Sequence, residues 1–264
     1  MADRALTVDV GNVAVEFRTG DATLVRLLEQ RFHRFLNPSA EPAFRFDITA
    51  VPSAHWDVDD DLHVHARNGR WIMQRGDFHA EWDVVERHGR IWQTVSPYAI
   101  DSVLRIVHTL VLATSGGFLL HASSAVRDGR AYLFTGPSGA GKSTIVGLAP
   151  EDVTVLTDEI SYVRRAADGY VAFGTPFAGE LGDLGEPVNA PVAALFQLGR
   201  GADDRHVRLE TPQTVQTLMR NILFFANDSS LVDDVLETAC DFASRVPAFK
   251  LLFAPDRRVW STIQ

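Results

Sequence analysis

Apolar and polar positions alternate in LTVDVGNVAVEF near the start of the chain, which predicts a strand or hairpin. From Asp21, a candidate N-cap, apolar residues recur at Leu24, Leu27, Leu28, Phe32, Phe35 and Leu36. Spacings of three and four predict an amphipathic helix ended by Asn37-Pro38. Between Phe44 and Val95 the pattern shortens to alternating runs separated by Asn68-Gly69, Gly76-Asp77 and His88-Gly89, with Trp56, Trp71, Trp82 and Trp92 inside them. Turn residues at such intervals predict an antiparallel meander. Ser96-Pro97 then marks a helix start, and Ile100, Val103, Leu104, Val107 and Val111 form a stripe that runs to Gly116-Gly117.

Beyond that helix the rhythm changes. Strands are predicted over Phe118–Val126, Ala131–Thr135 and Val153–Thr157, a hairpin around Asp168-Gly169, and a further strand over Val192–Leu198. Helices are predicted to open at Thr211-Pro212 and Ser229-Ser230. The order of elements reads as α/β here and α+β overall, with an N-terminal antiparallel β plus helix region over 1–96 and a second domain over 97–264.

Composition narrows the classes. Of the residues 46% are hydrophobic and 22% charged, enough apolar surface for a packed core. Net charge is −9, so no overall field draws the chain to nucleic acid or to an anionic membrane, and neither is expected as a partner. The first residues lack the basic and then apolar run of a signal peptide, and the apolar stretch 107–120 is broken by His108, Gly116 and Gly117. A cytoplasmic protein is expected. Cys240, the one cysteine, excludes an internal disulfide and is expected as a small core residue. His55, His63, His65, His79 and His88 fall in the meander without HxxxH spacing or acidic partners, and read most simply as surface histidines. Lys142 and Lys250 are the only lysines among 25 basic residues.

One of those lysines lies in the strongest motif. Gly136, Pro137, Ser138, Gly139, Ala140, Gly141, Lys142 and Ser143 match GxxxxGK[ST] between a buried-type strand and a short helix predicted from Ser143 to about Leu148. Glycines let successive backbone N–H groups turn inward on a phosphate. Lys142 would reach the β- and γ-phosphates, Ser143 would ligate Mg²⁺, and Thr144 would lie by the α-phosphate. Sixteen positions after Lys142, the apolar strand VTVLT ends at Asp158-Glu159, a candidate acidic partner for the metal; the competing reading is a solvated pair at a strand end.

HASSAVRDGRAYLFTGPSGAGKST followed closely by LTDE resembles the kinase domain of HPr serine kinase/phosphorylase, and is similar to the nucleotide-binding core of ATP-dependent phosphoenolpyruvate carboxykinase. The resemblance covers roughly Leu119 to Pro176. The whole chain is also similar to small HPr-kinase-like proteins encoded beside ribosomally made peptides. The resemblance implies a P-loop kinase core that uses ATP and Mg²⁺, with Gly136 to Thr144 around the triphosphate. It implies Ser143 and Asp158 as metal ligands and Asp158 as proton acceptor for a serine hydroxyl. Glu159 replaces the family's second aspartate, which leaves open how Asp158 and Glu159 divide metal and base roles. His121 matches a histidine before the loop, as a catalytic group or as a buried structural one. In GTPFAGELG, which occupies a segment tied to phosphate and metal handling, Glu180 is a candidate second ligand or part of a substrate-facing loop.

Kinase activity toward a Ser or Thr hydroxyl of a peptide or small protein is therefore expected, without the reverse phosphorolysis. The N-terminal region is expected to recognise that substrate, and a homo-oligomer is among the states the resemblance allows. Alternatives are a small-molecule hydroxyl kinase on the same core and a non-catalytic ATP-binding regulator. A cation near the γ-phosphate is required on physical grounds, and by chain order Arg164, Arg165 and Arg220 are the candidates.

Overall fold

A computed structural model describes residues 3–52, 61–177, 179, 181–182 and 185–263; His55, Trp56 and Glu180 lie outside the described residues. The fold is mixed α/β with two sheets. It divides into two compact units, Met1–Leu110 with Phe224–Ser229, and Val111–Leu223 with Ser230–Gln264. The division falls inside the helix that begins at Pro97.

In the first unit, β1 (Arg4–Val10) and β2 (Val13–Thr19) form a hairpin whose turn residues Gly11 and Asn12 both have positive φ, 63° and 61°. That backbone matches the strand twist. α1 (Ala22–Phe32) begins where the Asp21 carboxylate accepts from the N–H groups of Thr23 and Leu24 at 2.8 and 2.9 Å. The helix buries Leu24, Val25, Leu28 and Phe32.

β3 (Phe44–Ala50), β4 (His63–Arg67), β5 (Arg70–Arg75), β6 (Phe78–Asp83) and β7 (His88–Gln93) complete a sheet of order β1-β2-β3-β7-β6-β5-β4. The antiparallel meander holds for β4 to β7. At the centre, however, β2 pairs with β3 and β3 with β7 in parallel, so the sheet is mixed. α1 is the crossover that returns the chain to the same end of the sheet, and alternation within a strand carries no record of partner direction.

His63 and His65 are exposed on β4, and His88 Nε2 lies 2.9 Å from the Asp47 carboxylate. Among the described residues no three histidine, cysteine or acidic side chains converge as a metal site.

In the second unit the sheet is built from β8 (Gly117–Arg127), β9 (Arg130–Thr135), β10 (Thr154–Thr157), β11 (Ile160–Ala166), β12 (Gly169–Phe173), β13 (Asn189–Arg200), β14 (Arg205–Arg208), β15 (Ile222–Leu223) and β16 (Ala248–Phe253). The long strands β8 and β13 each serve several neighbours. Pairing therefore runs β8–β11–β12–β13–β9 and back to β8, while β16 and then β14 extend the sheet beyond β13.

Two apolar layers cover it. One packs Leu218 of α4 (Thr211–Met219) and Ala239 and Phe242 of α5 (Ser229–Arg245) on Leu120, Leu133 and Leu195. The other packs Ile145 and Val146 of α3 (Lys142–Gly147) and Trp260 on Phe134, Phe196 and Leu251. α5 buries Leu231, Val235, Thr238, Ala239 and Phe242. Cys240 falls off that stripe and is exposed, which corrects its reading as a core residue. Among the described residues no helix is long and apolar enough to cross a membrane.

His108, on α2 (Pro97–Ser115), is fully buried, and desolvation pushes its pKa down to about 3. Below pH 6.5 the unfolded chain takes up a proton that the folded chain refuses, so stability falls with acid and recovers as pH rises. We expect His108→Leu to flatten the decline between pH 6.5 and 3, relative to the unsubstituted chain, by a slope approaching ~1.4 kcal/mol per pH unit. Denaturant midpoints measured across that range check it, the difference in slope being the readout.

Candidate functional site

Strand β9 ends at Thr135, and the chain then turns through Gly136, Gly139 and Gly141, whose φ angles are 153°, 74° and 104°. Left-handed conformations of this kind cost a residue with a Cβ a penalty that glycine escapes. Gly141 is needed for a second reason, since a Cβ there would lie 2.7 Å from the ring of Phe253.

α3 starts at Lys142 and is tied down by the Trp260 indole N–H, which donates to the Ile145 carbonyl at 3.0 Å. Lys142 is buried, and its Nζ donates to the carbonyls of Gly136 at 3.1 Å and Pro137 at 3.4 Å. The ammonium thus sits within the curl of the loop. Behind it, Ser123 on β8 donates to the Lys142 carbonyl at 2.9 Å, and Thr135 donates to the His121 carbonyl at 2.9 Å.

Asp158 and Glu159 form the bend between β10 and β11. Thr157 shapes it, because its hydroxyl accepts from the N–H groups of Glu159 and Ile160, both at 3.3 Å. Asp158 is only 3% exposed. Its Oδ1 accepts from the Gly179 N–H and its Oδ2 from the Leu181 N–H, each at 2.8 Å. A carboxylate removed from water in this way needs such donors, and each oxygen keeps a further lone pair for a ligand. Gly179 cannot carry a side chain without disturbing the pair, since its Cβ would lie 2.9 Å from Glu159 Cβ and 3.0 Å from Asp158 Oδ2.

These parts open on one cavity of about 280 Å³. Lys142, Ser143, Thr144, Asp158 and Glu159 line it, as do Ser138, Gly139 and Gly141 from the loop and His121 from β8. Gly136, Pro137 and Ala140 do not: the first two turn their carbonyls to Lys142, and Ala140 is buried in the apolar layer beneath. Glu180 lies outside the described residues.

The expected cations fall elsewhere. Arg164 stacks over the Phe173 ring and Arg165 pairs with Asp241 at 2.9 Å; neither lines the cavity, nor does Arg220. Arg200 does line it, and its Nη2 donates to the Gly139 carbonyl at 3.2 Å. It was missed because chain order is a poor guide to position. β13 runs parallel to β9, Gln197 opposite Thr135, so the end of β13 arrives beside the loop that follows β9. Gly179 was missed because a backbone donor leaves no side-chain signature.

The donor set fits an anionic ligand with a hard cation. It offers a buried ammonium, a guanidinium, hydroxyls at Ser143 and Thr144, and two carboxylates around a volume suited to the phosphate end of a nucleotide.

A family model described as SynChlorMet cassette protein ScmC matches residues 91–264. Among solved structures, the chain is similar to the Hpr(Ser) kinase/phosphatase from Coxiella burnetii. The identity is 12% and the TM-score 0.32, over 55% of this chain and 85% of that chain. No curated protein matches the chain.

Gly179→Ala should push the Asp158 carboxylate out of place while leaving the fold intact, because the added methyl meets only that bend. We expect unchanged thermal unfolding of the free protein and, when a polyphosphate and a divalent cation are added together, a smaller shift than the unsubstituted chain gives, both read in one thermal-shift series.

Proposed function

The chain belongs to the family of the SynChlorMet cassette protein ScmC, and we propose that it is an ATP- and Mg²⁺-dependent kinase that phosphorylates a Ser or Thr hydroxyl of a peptide or small protein. One observation carries this reading. A carboxylate held through both oxygens by backbone N–H groups shares a cavity with a glycine-rich loop and its buried lysine. A carboxylate oriented in this way beside the loop suits proton transfer from an acceptor hydroxyl as well as metal binding.

Phosphoryl transfer asks chiefly for in-line positioning and charge neutralisation. The N–H groups of the loop would bind the phosphate chain. Lys142 would exchange the Gly136 and Pro137 carbonyls for β- and γ-phosphate oxygens, and Arg200 would supply a second positive charge from the other side of Gly139. Ser143 and Asp158 are the residues that would hold Mg²⁺, which would offset the negative charge of the phosphate groups. The acceptor hydroxyl gives its proton to Asp158 as its oxygen bonds to the γ-phosphorus, and the bond to the β-phosphate oxygen breaks to release ADP. Glu159 and His121 border the same space and would hold the acceptor or the metal.

Lys142→Ala should abolish transfer and weaken ATP binding. Asp158→Asn keeps the size of the side chain and should bind ATP in the absence of Mg²⁺ within a few-fold of the unsubstituted chain, yet transfer at least ~10²-fold more slowly, the range expected for loss of a general base. Mass spectrometry of short peptides encoded beside the gene, after incubation with ATP and Mg²⁺, measures the transfer; a fluorescent ATP analogue measures the binding. Undiminished transfer by Asp158→Asn would remove the base assignment.

A further inference from the structure

Strand β14 closes one end of the second unit's sheet. Among the described residues it pairs with β16 and with no second strand, and all four of its residues are exposed, Val207 to 65%. Leu209 donates to the Ala248 carbonyl at 2.8 Å. By the alternation of an antiparallel ladder, Val207 and Arg205 also bond to β16, while His206 and Arg208 turn their N–H and C=O groups outward. Two residues thus offer four backbone hydrogen-bonding groups along an open edge.

Beside that edge is a second cavity, of about 380 Å³, with Val207 and Leu252 as apolar floor and Arg205, Arg208 and Lys250 around it. Val207 faces Lys250 and Arg205 faces Leu252 across the ladder. The lining contains three cations and no carboxylate, in a chain whose net charge is −9. Of the carboxylates next along the chain, Asp204 accepts from the Ala254 N–H and Glu210 caps α4. On the opposite face, the His206 ring packs edge-on against Phe249 at 5.1 Å.

We infer that this edge docks an extended acidic peptide segment by strand addition. The backbone groups of His206 and Arg208 would pair with the segment, while Arg205, Arg208 and Lys250 meet its carboxylates. The same cations work against a second copy of β14, since two such edges would bring like charges face to face. Arg205 starts β14 at the end of the sheet where Phe253 underlies Gly141 and Arg200 reaches Gly139, so one end of a strand laid on β14 would lie at the end of the sheet that carries the glycine-rich loop. This deepens the kinase reading by locating the acceptor peptide on the second unit, and its consequence for transfer rests on that reading.

The test uses the full chain without nucleotide and a short fluorescein-labelled peptide of alternating Glu and Thr, followed by fluorescence anisotropy. Controls are the same peptide with Lys for Glu, and one N-methylated at alternate residues to remove its donors. The acidic peptide should bind and both controls should fail. The paired substitution Arg205→Glu with Lys250→Glu should weaken binding roughly tenfold or more while ATP binding is unchanged. Arg208→Pro removes an outward N–H at a position where an edge strand tolerates proline, and should also weaken it.

Equal binding of the Lys peptide, indifference to the charge reversal, or a single-stranded oligonucleotide binding in place of the acidic peptide would overturn the inference. Lys142→Ala separates the two readings, because it should dock the peptide as well as the unsubstituted chain does. Docking without any phosphate transfer would retain the edge and discard the kinase. Phosphate transfer at equal rates to acceptors with and without the acidic stretch would discard the edge and retain the kinase.

Discussion

Asp158 is held by the chain's own backbone, and much of the second unit exists to bring that backbone to it. A carboxylate so far from water is tolerated only with donors on it, and here both come from one returning segment, through Gly179 and Leu181. That segment is in turn laid against β10, with Thr175 donating to the Leu156 carbonyl at 3.2 Å and Glu186 to the Val155 carbonyl at 3.2 Å. It approaches so closely that a Cβ on Gly174 or on Gly185 would collide with the Glu186 or the Thr175 carbonyl. Gly174, Gly179 and Gly185 are therefore conditions for this close approach. The charge at Asp158, the strand that carries it and the segment that holds it form one arrangement.

The other half of the site follows from strand direction. β9, β13 and β16 run parallel, so their C-terminal ends gather Gly136, Arg200 and Phe253 at one end of the sheet. Crevices at the C-terminal ends of parallel strands are where α/β sheets hold ligands, because loops and helix starts converge there. In this chain the convergence has a packed support. Phe253 lies under Gly141, and Trp260 holds the Ile145 carbonyl, so the turn that follows β9 is backed by side chains whose positions are set by the apolar layer. A loop supported from below presents its N–H groups without first being ordered by a ligand, which reduces the entropy cost of binding.

How much of this was legible in the sequence depended on the range over which each feature is encoded. The N-cap at Asp21, the helix starts at Pro97, Thr211 and Ser229, and the strands around the glycine-rich loop are written within a few neighbouring residues, and the structure places them within two or three residues of their expected bounds. The glycine-rich loop and Asp158 were likewise legible, because both are short motifs with a fixed neighbour. What escaped was anything decided by pairing across the chain. The parallel joins β2–β3–β7 depend on which strand follows α1 back into the sheet, and the place of Arg200 depends on β13 running beside β9. Cys240 escaped for a subtler reason. The buried residues Thr238, Ala239 and Phe242 flank it on α5, yet a rotation of one residue about the helix takes it out to solvent.

Charge illustrates the same difference between local and summed properties. An acidic chain offers nothing overall to an anion, yet Lys142 and Arg200 gather at one cavity of the second unit and Arg205, Arg208 and Lys250 at another. At physiological salt the field of a charge fades over ~8 Å, so the distant carboxylates that make the net charge negative are screened from each cavity while its own cations are not. Their division into two groups suits the two anions proposed for them. A phosphate chain and an acidic peptide repel each other, and one cluster of cations shared between them would be neutralised by whichever bound first. Lys142 and Arg200 border the cavity of Asp158, whereas Arg205, Arg208 and Lys250 border the sheet edge. On the proposed reading each anion would meet its own counter-charge, and binding of one would leave the site of the other intact.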